Sequence, residues 1–309
     1  MGIVEHFADI KFKNLQSLSL EAPETLHVYT RNAVQLNIGH ILKLLTRNVD
    51  SIRSLTLRFH KGTYVSSFQG ADLISLICSM IKLTRLILVD ALGSDAGLFL
   101  QNPDAPTITQ ALETFIFYSH INITPVIHNI FLGSSGQSLQ HLGLDQMKNS
   151  ENLIRRYPNL VELEICSAVV EDMFHFAKEV TRMRSLRHLT FREFHSVRPD
   201  FNSLWFFAED QLSENLHSLR LSNITFNPQH LCNFKNLKEL FLEKCTFAKK
   251  LEEADVIHSF AGLTSLENLC LDKTPVKIST LAIILDSCSS LKNVVIIGIS
   301  EENVRKNKR

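Results

Sequence analysis

Leu237-Lys238-Glu239-Leu240-Phe241-Leu242-Glu243-Lys244-Cys245 is the stretch that decides the architecture. Leu240 and Leu242 alternate with Glu239, Phe241 and Glu243, the two-residue period of a short strand with one face toward a core and one face outward. Such a strand has backbone to pair on both edges and leucines to cover. It therefore predicts neighbours of the same form.

Those neighbours are present. The L-x-x-L-x-L spacing occurs at Leu15/Leu18/Leu20, Ile52/Leu55/Leu57, Leu83/Leu86/Leu88, Leu112/Phe115/Phe117, Leu139/Leu142/Leu144 and Leu160/Leu163/Ile165. It continues at Leu186/Leu189/Phe191, Leu216/Leu219/Leu221, Leu237/Leu240/Leu242, Leu266/Leu269/Leu271 and Leu291/Val294/Ile296. The copies lie about 28 residues apart on average, at the long end of the leucine-rich-repeat range. The expected fold is an α/β leucine-rich-repeat solenoid, a horseshoe with about eleven parallel strands on its concave face and helices on its convex face.

Between strands the apolar spacing becomes helical. It does so at Leu73, Ile74, Ile77, Met80 and Ile81, at Met173, Phe174, Ala177 and Val180, and at Ile278, Leu281, Ile284, Leu285 and Cys288. The shorter connections, from Leu144 to Leu160 and from Leu221 to Leu237, leave room for a turn or two. Residues 1–14, with Ile3, Val4, Phe7, Ile10 and Phe12, read as a partial N-terminal repeat or cap, and 298–309 as a basic C-terminal tail. Loops at 93–106, 133–136 and 195–202 interrupt the pattern without dividing it, so 1–309 reads as a single leucine-rich-repeat domain.

With 309 residues, 45% of them hydrophobic and 21% charged, the chain has material for a large core. Lys plus Arg and Asp plus Glu both number 32, which leaves no global field to draw it onto nucleic acid or an anionic membrane. No nucleic-acid or membrane partner is expected. The N-terminal residues lack the apolar run of a signal peptide, and His6 stands where a myristoylation motif wants Ser or Thr. The six cysteines show no C-x-x-C spacing and read as reduced, mostly buried thiols. Together these point to a cytoplasmic or nuclear protein. Asn122-Ile123-Thr124 and Asn223-Ile224-Thr225 are then accidental matches to a glycosylation acceptor.

The joints between repeats carry a resemblance. Tyr157-Pro158-Asn159-Leu160 and Cys288-Ser289-Ser290-Leu291 each keep part of a "C-P-x-L" phrase, and Cys245 follows its strand where Asn or Cys is usual. In this the chain resembles the repeat region of F-box/leucine-rich-repeat proteins, which are ribonuclease-inhibitor-like in fold. The F-box, which docks the adaptor of a ubiquitin ligase, is not seen in the chain. The resemblance implies a substrate-recognition role for an SCF-type ligase, and an F-box lying upstream would add the adaptor as a partner. The alternatives are a GTPase-activating-type leucine-rich-repeat regulator and a structural leucine-rich-repeat scaffold.

No G-x-S-x-G, P-loop, Rossmann glycine pattern, H-E-x-x-H or calcium-loop signature occurs, so the reading is non-catalytic, with no cofactor and no metal. Gly133-Ser134-Ser135-Gly136 reads as a flexible turn. Arg155-Arg156 and Arg182, Arg184 and Arg187 read as solvated helix ends. Phe201, Trp205, Phe206 and Phe207 read as convex core.

Alternation names the outward positions, which are the candidate protein-binding residues. Ile87, Val89, Ile116 and Tyr118 form an apolar patch on the third and fourth strands, either a contact site or covered by the 93–106 loop. Arg85 lies beside it. His141, Glu162 and His188 share one register position and read as a column with Asp145, Glu164 and Arg192 nearby, for which a polar docking patch, a plain solvated surface and a metal site compete. Arg220 and Phe241 complete the set of candidates on later strands.

Overall fold

Each copy of the template forms a five-residue strand. The structure, a computed structural model, describes residues 10–21, 38–59, 67–92, 106–119, 128–145, 155–166, 179–192, 214–247, 253–274 and 276–298. The chain falls into two compact units, Met1–Gln146 and Met147–Arg309.

In the first unit, β1 (Ser17–Glu21), β2 (Ser54–Arg58), β3 (Arg85–Val89), β4 (Thr114–Tyr118) and β5 (His141–Asp145) pair in parallel in chain order. The helices α1 (Ile38–Asn48) and α2 (Ser67–Cys78) occupy two of the crossovers. In the second unit, β6 (Glu162–Cys166), β7 (His188–Arg192), β8 (Ser218–Ser222), β10 (Glu239–Glu243), β12 (Asn268–Asp272) and β13 (Asn293–Ile297) do the same. A small second ladder pairs β9 (Thr225–Phe226) with β11 (Thr246–Phe247). The crossovers carry a 3-10 turn at Pro228–Asn233 and the helices α3 (Glu253–Ala261) and α4 (Ile278–Ser287). Eleven parallel strands following one another in chain order, with helices returning between them, make this a leucine-rich-repeat solenoid.

The register explains why the leucines recur. Leu240 lies opposite Leu219 on one side and Leu269 on the other, so each template residue packs against its counterparts. From β2 to β12 both core-facing positions are buried, each contributing about 1.5–3 kcal/mol by leaving water. Joints are closed by polar side chains in the same spirit. Asn48, buried at the end of α1, donates to Leu44 O and accepts from Phe12 N, which ties residues 10–12 to the helix. Ser135 is buried and accepts from Leu112 N at 2.9 Å, so 133–136 is a fixed joint between repeats instead of a flexible turn. Four strands end in a residue with left-handed backbone, Asp90, Asn223, Lys244 and Lys273, turning the chain away from the sheet at equivalent places.

Several expectations change. Val294 and Ile296, at core positions of the template, are exposed with the rest of β13, because no strand follows it among the described residues. Ile81 and Ile278 are also exposed, the first in the turn beyond α2 and the second at the start of α4. Of the six thiols, all free, only Cys245 and Cys288 are fully buried. The apolar patch on β3 and β4 is not exposed: Ile87 is 2% and Ile116 5% accessible, and Val89 and Tyr118 are half-buried. The reason is local. A methyl placed on Gly143 would meet Tyr118 Oη at 2.9 Å and Ile116 Cγ2 at 3.0 Å, which shows both side chains leaning into the space that this glycine leaves open. The 93–105 loop, the expected helix around Met173 to Ala177, the Phe201–Phe207 cluster and residues 1–9 lie outside the described residues.

Candidate docking face

On the second unit the outward face of the sheet is ordered in three rows by the strand register. The first runs Glu162, His188, Ser218, Glu239, Asn268, Asn293, and the middle row Glu164, Thr190, Arg220, Phe241, Cys270, Val295. The third runs Cys166, Arg192, Ser222, Glu243, Asp272, Ile297. Adjacent members are about 4.8 Å apart through the backbone, close enough for every long side chain to reach its neighbour.

They do reach. Arg192 Nη2 lies 3.0 Å from Glu164 Oε1, a diagonal ion pair whose carboxylate is the more buried partner. Arg220 places its guanidinium over the Phe241 ring, 4.6 Å from the centroid. The cation fixes the ring, and the ring fixes the cation, an interaction of about 0.5–1 kcal/mol at an exposed site. Ser222 donates to Glu243 Oε2 at 3.1 Å, and Lys244 Nζ approaches the other oxygen at 3.7 Å. Asn293 donates to Asn268 Oδ1 at 2.7 Å, and Asn268 donates to Glu239 Oε1 at 3.4 Å.

Two groups carry unspent chemistry. Asp272 Oδ1 is shielded and has no hydrogen-bond partner in this structure, so it is poised to accept one. The Cys270 thiol is pushed up by burial first and then by the Asp272 and Glu243 carboxylates, with Arg220 opposing. It stays a neutral thiol and is no nucleophile at neutral pH. The face thus offers a pinned aromatic, a held guanidinium and oriented carboxylates.

The expected residues distribute as follows. Glu162 and His188 are in register on β6 and β7, while His141 sits in the other unit opposite Thr114. Glu164, Arg192, Arg220 and Phe241 come together as described. Arg85 is exposed at the start of β3, and Asp145 ends β5. Ile87, Val89, Ile116 and Tyr118 belong to the buried patch. Thr190, Ser222, Glu239, Glu243, Cys270 and Asp272 were not singled out, although the same alternation that marked Glu164 and Phe241 marks them.

No protein-family model matches the chain, and no curated protein sequence matches it. Solved structures similar to it include an internalin of Listeria monocytogenes, at 14% identity over 96% of this chain and 84% of that one, with a TM-score of 0.46. A leucine-rich-repeat protein of Leptospira interrogans is similar at 15% identity over 94% and 97%, TM-score 0.37. TLR13, in a complex with ssRNA, is similar at 14% identity over 95% of this chain and 33% of that one, TM-score 0.38. The fold assignment rests on strand order and register in the chain itself.

Proposed function

We propose that the protein is a non-catalytic interaction module that docks a protein partner on the outward face of its second unit. One observation carries this reading: Arg220 and Phe241 are locked together at the middle of a sheet face whose acidic groups are held in position by neighbouring strands. Aromatic and arginine anchors surrounded by polar groups are the composition of interface centres. The partner fitted to this face presents an apolar group to Phe241 and a donor to Asp272. Recognition of ubiquitin-ligase substrates is the specific form of this role that the joint phrases Tyr157-Pro158-Asn159-Leu160 and Cys288-Ser289-Ser290-Leu291 support by resemblance.

The test is affinity capture with the wild-type chain, Phe241→Ala and Arg220→Glu. A partner held by the wild type and lost with either substitution supports the reading. Identical recovery by all three overturns it. Co-recovery of a ligase adaptor and a cullin would support the ligase role, and their absence from a partner complex would count against it.

A further inference from the structure

Five arginines crowd the turns that lead into β6 and β7: Arg155 and Arg156 before the first, Arg182, Arg184 and Arg187 before the second. The turns lie side by side, because the backbone N–H groups of Arg187 and His188 both donate to Val161 O, at 2.8 and 3.0 Å. Glu179, in the helical turn before β7, sends one carboxylate oxygen between them. Its Oε1 accepts from Arg155 Nη2 at 2.8 Å and from Arg182 Nη1 at 2.8 Å. The carboxylate side chain is 5% exposed, whereas the two arginines are 58% and 56% exposed.

A single negative charge cannot neutralise two guanidinium groups. The buried acid aligns the two forks and leaves an excess positive charge at the surface, to which the exposed Arg156 and Arg184 add. A planar fork held in place is suited to a small oxyanion, since it presents several N–H donors at fixed angles. We propose that Arg155 and Arg182, aligned by Glu179, form a binding site for an oxyanion carried by a polypeptide, a phosphorylated side chain or a short run of carboxylates. A long polyanion fits less well. The aromatic residue in these turns, Tyr157, is buried and offers no base a stacking surface. Glu162 and Glu164 follow immediately on β6 and repel a charged backbone crossing onto the sheet. The site stands apart from the Arg220–Phe241 face and does not depend on its role.

The experiment is fluorescence anisotropy on the full chain with three labelled probes: a phosphoserine peptide in a Gly/Ser background, an oligoglutamate peptide and single-stranded RNA. Saturable binding of either peptide is expected, and the two arms show which source of oxyanion is used. Arg182→Lys keeps the charge and removes the fork, so affinity should fall about tenfold, the loss of one charge-assisted contact. Glu179→Gln raises the net positive charge, yet affinity should fall because the forks are no longer aligned. Failure to bind either peptide, preference for the RNA, or affinity unchanged in Arg182→Lys and raised in Glu179→Gln overturns the proposal. If melting shows that Glu179→Gln does not fold, the exposed Arg182→Lys substitution decides alone.

Discussion

The middle row of the outward sheet face runs Ser19, Thr56, Ile87, Ile116, Gly143 in the first unit and Glu164, Thr190, Arg220, Phe241, Cys270, Val295 in the second. The leucine framework behind both rows is the same, and the chemistry in front of it is opposite. In the first unit the row becomes apolar and is buried at Ile87 and Ile116. In the second it stays accessible, with charge and an aromatic ring presented together. A repeat framework therefore leaves one face free to be sealed in one region and used in another.

The largest effect expected from this contrast is on Ile116→Asp. A charge placed at a buried position without a partner should cost about 3–5 kcal/mol in urea unfolding. Thr190→Asp, in the same row of the second unit, should change stability by no more than about 0.5–1 kcal/mol. Equal losses would erase the distinction between the faces. A gentler probe is Gly143→Ala, whose methyl group meets Tyr118 and Ile116 at 2.9–3.1 Å. Overpacking there should cost about 1–3 kcal/mol, read as a lowered melting temperature. No loss would mean that Tyr118 and Ile116 are not held over the glycine.

Phe241→Ala sharpens the other side. It removes the ring beneath Arg220 and should lower stability by about 1 kcal/mol while abolishing partner capture. The smallest effect separates the units by pH. Burial pushes the Cys78 thiol of the first unit up to about 12 and the Cys245 thiol of the second up to about 11. The folded state keeps protons that the unfolded chain releases above about 8.5, so this contribution is whole below that pH and declines as the pH climbs toward the folded values. Unfolding in reducing buffer should show stability falling above pH 8.5. Cys78→Ala and Cys245→Ala should each flatten the slope, and an unchanged slope in both variants would assign the decline to other groups.

Period and register explain what could be read in advance. Leu240 and Leu242 define a strand because alternation is a local property, and aligning copies then sets Arg220 beside Phe241 without further information. Alternation misled at Ile87 and Ile116, where Leu86-Ile87-Leu88 and Phe115-Ile116-Phe117 are apolar at every position. Such runs mark strands covered on both faces. The arginine pair was hidden for a different reason. Arg182 is three residues from Glu179, but Arg155 is separated from it by 24, and only the folded turns bring the second guanidinium to the same oxygen. Val294 and Ile296 fit the template yet lack the next strand that would cover them, a property of position in the stack and not of residue type.

That last strand has a further consequence in time. β13 is tied to β12 alone, and its five residues are accessible throughout, Val295 at 47% and Ile297 at 50%. Amide protons near this end should exchange with deuterium sooner than those of β8 or β10, which are clamped on two sides. Opening then fans inward from Asn293, one repeat at a time, so that the molecule unzips in a direction set by its own stacking order.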